Sequence, residues 1–481
     1  MKHKLLLTAF VFITTIVSAT HLRGGFITAK YLGGNTFQVS VTTFSRNSYP
    51  SNLADRKFVT IDYGDGNTDS IFRINGPDLD ADGIPDGEDC ANDLKKSIYQ
   101  GIHTYAGMPP PPNNCFVLSY LEMNRIDGIN NIANGGSVNV PFFLSDTLFN
   151  ADFATSSNSS PNLFACLAQY GNVSDSLSFN PAFYDEDGDS MSFTTTVPLQ
   201  DANLPAPLYK FPNDYCAAHG FGSSDYHVDS LTAQIVWHTP CAVGIFDAAL
   251  QVREFRCGVL LSSSIFDFQI IALSEPNSYP VLMADTTDIF LAPGDTLSLT
   301  VTATDDSIQQ LSLYAWGEPF TFAQNPATLT VTGSNPANGN IYWAPDASQA
   351  QKNAYIFSIE ARDNYAIPGP NGSIPAPFSS FKTFRAWVTD TSVCNFTSVN
   401  ELTRPSISVS LWPNPSANFV TVQADEPLTE LCVFDAKGQR LLQKSKPGNS
   451  TTLTLSQLPA GLYFMRANIN GQYQTLRFIK E

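Results

Sequence analysis

Apolar and polar side chains alternate along most of this chain in short runs. Phe37-Gln-Val-Ser-Val-Thr-Thr-Phe44, Val59-Thr-Ile-Asp-Tyr63 and Leu297-Ser-Leu-Thr-Val301 are three of them. A period of two puts every second side chain on one face of an extended strand, so each run predicts a strand with one buried face. Gly, Pro, Asn and Asp cluster between the runs, where turns are needed. Long stripes at helical spacing are absent. The pattern predicts packed β-sandwiches.

The first residues depart from this pattern. Lys2 and Lys4 flank the start of an uncharged run, Leu5–Val17, and Val17-Ser18-Ala19 places small residues where a signal peptidase reads. That layout predicts a cleaved secretory signal at residues 1–19, too short to span a bilayer. No later segment reads as a transmembrane anchor. Composition suits exported β structure: 34 Phe and 18 Tyr supply core, and 30 Gly and 32 Pro supply turns. A formal charge of −18 argues against a face for nucleic acid or anionic lipid, and suits divalent cations or plain solubility. All eight cysteines follow the signal, in a compartment where disulfides persist. Cys394 falls in a linker and Cys432 in the tail. Cys90, Cys115, Cys166, Cys216, Cys241 and Cys257 could then form three bridges. Cys241 and Cys257 flank one strand pair and are the expected bridge, with the other pairings open.

A first module is expected at residues 20–146. It contains Tyr63-Gly-Asp-Gly66 and, later, His103-Thr-Tyr105. Together these elements resemble the PKD family of immunoglobulin-like domains. The opening His21-Leu-Arg-Gly-Gly25 and the segment Asn124-Arg-Ile-Asp-Gly-Ile-Asn-Asn-Ile132 resemble the N-terminal module of large surface proteins in gliding bacteria, where they are structural. A second module, 158–274, runs from an acidic turn through Ile235-Val-Trp-His-Thr-Pro240 to a long strand from Gly244. That order resembles cadherin-like immunoglobulin-type domains of bacteria. A third module, 276–390, repeats it, with an acidic end at Asp305-Asp306, then Ile341-Tyr-Trp-Ala-Pro345, then Tyr355–Asn364. The shared order predicts two divergent repeats in series, which would make a rod.

Two acidic segments are candidate metal sites. Asp78, Asp80, Asp82, Asp86 and Asp89 lie in one short insertion, at alternating positions around Gly83. Calcium takes six to eight oxygens, and alternating carboxylates on a tight loop can wrap one ion. The segment resembles a thrombospondin type 3 calcium repeat. Its Asp-x-Asp-x-Asp-Gly start is shared with an EF-hand, but the flanking helices and the twelfth-position glutamate are missing. Asp185, Asp187 and Asp189 form the second candidate, and the resemblance to cadherin-like domains implies calcium near a domain junction there. The plainer alternatives are a solvated loop and a capped turn.

Residues 391–406 read as a linker and 407–481 as a separate tail. Trp412-Pro-Asn-Pro415, Asp435-Ala-Lys-Gly438, Leu458-Pro-Ala-Gly-Leu-Tyr463 and the basic end follow one another at set spacing. They resemble the type A sorting domain of the type IX secretion system. The resemblance implies passage across the outer membrane of a Gram-negative bacterium, removal of the tail, attachment at the surface, and the secretion machinery as partner. The expected fold class is therefore all-β, with tandem immunoglobulin-like β-sandwich modules plus a small C-terminal β-sandwich sorting domain.

Catalytic motifs are not found. His-Glu-x-x-His, Gly-x-Ser-x-Gly and the phosphate-binding Gly-x-x-x-x-Gly-Lys-Ser/Thr do not occur. Cys216-Ala-Ala-His219 and His238-Thr-Pro-Cys241 have zinc-like spacing, but an oxidising compartment favours a disulfide. The sequence thus points to a non-enzymatic adhesive or structural surface protein with calcium-stabilised modules. A surface glycan or another cell-surface protein is the possible partner. The alternative is a secreted carbohydrate-binding or carbohydrate-cleaving protein, since aromatic faces stack on sugars.

Overall fold

The structure is a computed structural model. It describes residues 22–46, 56–90, 94–149, 158–167, 169–173, 175–221, 224–256, 258–305, 309–369, 372–389, 409–435, 440–469 and 472–480. The signal segment, the linker, Cys257, Cys394 and the turn at 436–438 lie outside these residues. Among the described residues no helix is long and apolar enough to cross a membrane.

The N-terminal strands are β1 (Leu22–Gly33), β2 (Thr36–Arg46), β3 (Phe58–Asp62), β4 (Thr68–Arg73), β5 (Glu88–Cys90), β6 (Leu94–Thr104), β7 (Cys115–Glu122) and β8 (Phe142–Phe149). They pair in the order β1-β2-β6-β4-β3-β7-β8. The alternation read in the sequence sets which side chains turn inward: Val39, Val41, Val59, Ile61, Leu118 and Tyr120 are buried in one core, while Thr60 and Val117 face out.

Next come β9 (Asn162–Leu163), β10 (Gln169–Asn172), β11 (Leu177–Phe179), β12 (Phe183–Tyr184), β13 (Ser190–Thr196), β14 (Leu199–Asp201), β15 (Leu204–Pro205), a short helix (Pro212–Ala218), β16 (Asp225–Val228), β17 (Ile235–His238), β18 (Gly244–Arg256) and β19 (Val259–Leu273). One sheet has the order β11-β17-β16 and the other runs β13-β18-β19, with β10 parallel to β19. The third module contains β20 (Val281–Ala284), β21 (Asp288–Leu291), β22 (Leu297–Thr304), β23 (Ser312–Trp316), β24 (Thr328–Thr332), β25 (Ala337–Trp343), β26 (Tyr355–Arg362), β27 (Ala366–Gly369), β28 (Gly372–Pro375) and β29 (Ser379–Val388). Its sheets are β20-β22-β25-β24 and β21-β29-β26-β23, with β21 parallel to β29. Taken in chain order, the latter sheets are the ABED and CFG layers of an immunoglobulin-type sandwich, and among the described residues the second module has the same order without its first strand. The repeat shows in the packing too. Trp237 on β17 and Trp343 on β25 are both fully buried, and each meets a ring at the head of the next long strand, Phe246 and Tyr355.

The expected boundary at 146–158 does not separate two sheets. Strand β19 pairs with β8 through Ser262–Ser264 and with β1 through Asp267 and Phe268, besides its own partner β18. The first module is thereby closed by a strand of the second. Gly24 and Gly25 permit the approach: a Cβ at Gly24 would sit 2.5 Å from the Asp267 carbonyl oxygen, and one at Gly25 would sit 2.6 Å from that of Thr42. The Arg23-Gly24-Gly25 run is a seam. The Asn124–Ile132 segment locks it from the other side. Arg125 is buried, with Nη1 2.5 Å from Asp247 Oδ2 and Nη2 2.7 Å from Asp267 Oδ2. Asn131 donates to the Asp247 carbonyl oxygen (2.8 Å) and accepts from its amide (2.9 Å).

The second and third modules are not joined end to end only. Phe179 on β11 approaches Phe381 on β29 at 6.5 Å between ring centroids, and Asn180 Nδ2 donates to Thr383 Oγ1 at 3.0 Å. The rod expected from two sandwiches in series is replaced here by a packed flank.

The expected Cys241–Cys257 bridge is overturned. Cys241 bonds Cys216 on the short helix, and Cys90 bonds Cys166, which ties the first module to the second. Cys241 precedes β18 and Cys257 follows it. Opposite ends of a strand that rises about 3.4 Å per residue are tens of ångströms apart, beyond the span of a disulfide. Cys115 carries a free thiol, and Cys432 is buried in the tail as a small apolar side chain.

Two outcomes follow from the seam. Replacing Arg125 by Met strands two buried carboxylates and is expected to lower stability by about 3–5 kcal/mol, read as a lower denaturant midpoint; adding Asp247→Asn and Asp267→Asn should recover part of it. Asp146, buried on β8 beneath Ser160 and Ser264, has its carboxyl pushed up by burial from the ordinary 3.8 to about 6. Its folded form holds a proton that the unfolded form releases, so it weakens stability as pH rises from about 4 to 6 and keeps that penalty above. Asp146→Asn should therefore gain in melting temperature relative to the unaltered chain between pH 4 and pH 7.

Candidate functional sites: the acidic turns and the tail

The first acidic insertion joins β4 to β5. Oxygens of Asp78, Asp80 and Asp86 come within 4.8 Å of one another. Asp78 accepts from the amides of Asp82 (3.2 Å) and Gly83 (2.9 Å), which curls the loop. The charge is already partly met by protein cations. Lys57 Nζ lies 2.9 Å from Asp80 and also pairs with Asp82, and buried Arg73 reaches Asp86 at 3.2 Å. Asp82 pairs with Lys57, and Asp89 lies on β5 opposite Lys95; neither is in the group of three.

The second turn lies between β12 and β13. Asp185 is buried, and its Oδ1 accepts from the amides of Asp187 (3.1 Å) and Asp189 (2.8 Å). Asp187 accepts from the Ser159 amide at 2.7 Å, and Asp189 binds Arg256. Oxygens of the three aspartates also lie within 4.8 Å of one another. Glu254, on β18, brings a fourth carboxylate against Asp185. Its Oε2 is held by Asn158 (2.8 Å) and Ser262 (2.7 Å). Yet Asp185 Oδ2 and Glu254 Oε1, both buried, receive no hydrogen bond from a protein donor among the described residues. Burial holds both carboxyls above their ordinary range, Glu254 furthest; the Asp185 charge adds to the rise at Glu254, and the charges of Asp187 and Asp189 add to it at Asp185. Glu318 of the third module faces the same pocket. Burial, then Asp185 and Glu186, push it up to about 7. Asn353 Nδ2 donates to the Gly188 carbonyl oxygen at 2.8 Å, so the pocket lies where the second and third modules meet.

Sequence reasoning found the aspartates of this site and missed both glutamates. Glu254 left a signal: it occupies the core-facing phase of β18, in line with Leu250 and Val252, where a carboxylate has no business without a partner. Glu318 left none, because only packing of one module on another brings it there.

Other motifs resolve as structure. Tyr63-Gly-Asp-Gly66 and His103-Thr-Tyr105 do meet. His103 stacks on Tyr63 (4.0 Å) and bonds Asp65 (2.9 Å), while the Tyr105 hydroxyl donates to the Tyr63 carbonyl oxygen at 3.0 Å. The zinc-like spacing at Cys216 and Cys241 is a disulfide, and His238 is exposed on β17.

The tail forms its own compact unit of β30 (Val409–Trp412), β31 (Phe419–Asp435), β32 (Arg440–Thr454), β33 (Gly461–Ile469) and β34 (Gln472–Lys480). Long β31 pairs with β30 along its first half and with β33 along its second, and β32 runs beside it. Pro-Asn-Pro pins the last strand: Asn414 donates to the Arg477 carbonyl oxygen (3.1 Å) and accepts from the Ile479 amide (2.9 Å). Tyr463 of the Leu-Pro-x-Gly-x-Tyr run is buried against Phe478 and donates to the Pro459 carbonyl oxygen at 2.8 Å. Residues 410–481 match the family described as the secretion system C-terminal sorting domain.

The tail is a secretion-system sorting domain. Such a domain is read by secretion machinery, and a chain that carries it is secreted or placed at the cell surface. No curated protein matches the chain by sequence. Among solved structures, a chimeric titin Z1Z2-Z1Z2 tandem is 9% identical over 48% of this chain and 100% of its own, with a TM-score of 0.17. The N-terminal eight immunoglobulin domains of Down syndrome cell adhesion molecule are 9% identical over 95% of this chain and 49% of their own, with a TM-score of 0.16. Domains 4–9 of the surface layer protein SbsC are 10% identical over 72% and 44%, with a TM-score of 0.15. Scores this low carry no shared arrangement, and the immunoglobulin-type assignment rests on strand order.

Proposed function

We propose that this chain is a non-enzymatic surface protein, adhesive or structural, exported across the outer membrane of a Gram-negative bacterium by the type IX secretion system. The sorting domain at 410–481 carries the reading. Ahead of it stand a PKD-like module and two cadherin-like repeats, a scaffold that spaces and presents surfaces. Gliding bacteria are the setting that the N-terminal resemblance favours. Mass spectrometry of protein shaved from intact cells should give a mature start at Thr20 and an end before Ile407. Full-length chain confined to the periplasm would reduce the tail to an ordinary domain.

Calcium is the cofactor this reading assigns, and the turn at Asp185 is the better fit. A hard cation needs oxygens from several directions, and Asp185 Oδ2 and Glu254 Oε1 are buried acceptors without donors among the described residues. Asp187, Asp189 and Glu318 would complete the ring, so that the ion would stiffen the junction of two modules. At the insertion, Asp78, Asp80 and Asp86 would hold a second ion only in competition with Lys57 and Arg73.

Calcium at a hundredfold excess over its Kd should then stabilise the chain by about 2.7 kcal/mol, seen as a rise in melting temperature. Asp185→Asn should abolish most of that rise, and Asp80→Asn should leave most of it. In chelator, Glu254→Gln should melt higher than the unaltered chain, because one of two facing buried carboxyls is gone. A melting temperature indifferent to calcium would remove the ion from the account.

A further inference from the structure

A groove of about 510 Å³ lies apart from both acidic turns. Its walls come from two modules: His227, Asp229 and Gln234 from the second, and Asp288, Thr383 and Arg385 from the third. Volume and position are those of ligand clefts, which favour domain interfaces. Two acidic side chains, Asp229 and Asp288, and two basic ones, Lys382 and Arg385, balance along its lining. Arg385 grips Asp288 through two bonds, of 2.8 and 2.7 Å, and His227 Nδ1 lies 2.8 Å from Asp225. A groove compensated in this way has little net field to select an ion. What it offers is a set of fixed donors and acceptors of both kinds.

An aromatic platform continues it. One rung along the same sheet face, Phe290 and Trp387 pair in register and stack at 4.8 Å with their planes 7° apart. Arg385 lies 5.2 Å over Trp387 and so links groove to platform. Phe290 stands on the edge strand β21 and is 73% exposed, the most open aromatic ring among the described core-building types. A ring left this bare beside a polar groove is a surface awaiting an apolar face.

We propose that this groove and platform bind a glycan. A pyranose presents an apolar C–H face to an aromatic ring and hydroxyls, each donor and acceptor, around its rim. That is the chemistry laid out here: Phe290 under one sugar, with Asp229, His227, Lys382 and Arg385 along the groove for the hydroxyls of its neighbours. A peptide would find few apolar side chains in the groove to anchor it. The site goes beyond surface display and does not depend on it, since the ligand would bind the same groove on purified protein.

The test titrates the full chain with soluble oligosaccharides of glucose, mannose, xylose and N-acetylglucosamine, following tryptophan fluorescence and heat. Saturable binding of at least one class is expected. Phe290→Ala should weaken it at least tenfold with an unchanged melting temperature, and Phe290→Tyr should retain it. His227→Ala, on the opposite wall and half exposed, should weaken it independently. No saturable sugar binding, binding indifferent to Phe290→Ala and His227→Ala, or a groove that takes only a peptide would each overturn the proposal.

Discussion

A sheet edge leaves backbone donors and acceptors unpaired, and in this chain one strand meets that demand for two modules. Strand β19 serves its own sandwich through β18 and β10, and closes the N-terminal sheet through β1 and β8. Exposed edges invite pairing with other chains, so an exported protein gains by hiding two of them at once. The arrangement also makes the first module dependent on the second. Residues 22–149 have a core of their own, yet Phe26 and Phe44 are buried in the core built on β19.

Burying a strand on both faces forces a decision about its polar side chains. Asp247, Asp267, Gln269 and Glu254 all lie inside, on β18 and β19. Arg125 answers two of them and Arg23 bonds Gln269 at 3.1 Å. Glu254 is answered only in part, and it is against this carboxylate that the acidic turn packs. A buried ion pair is a weak source of net stability, yet breaking it is costly, and here Arg125 meets Asp247 on β18 and Asp267 on β19 together only in this alignment. The seam is specified by charge as much as by apolar fit.

The strands themselves were legible. Alternation at Phe37–Val41, Val59–Tyr63 and Leu297–Val301 separates inward from outward side chains, whereas Thr42, Thr43 and Phe44 are all buried because the second module covers the other face there; Trp237 and Trp343 mark equivalent strands of two repeats. The acidic turns were legible because their carboxylates are close in sequence. Glu254 was half legible, as a charge on an apolar phase. Glu318 and the groove at Arg385 were not, since both arise only when one sandwich packs along another. The Cys241–Cys257 expectation failed because the interval read as a strand pair is one long strand, Gly244–Arg256, and Cys241 bonds Cys216 instead.

The sequence by itself therefore determined what is local: strand phase, turns, the acidic loops, and a tail whose motifs lie within one small domain. Asn414 pins a strand of its own unit, so its role travels with its motif. Tertiary structure decided the rest: which edge β19 would cover, which cysteine Cys241 would find, and which carboxylates would face one another. A period of two tells a side chain which face it is on, and nothing about which strand lies beyond that face.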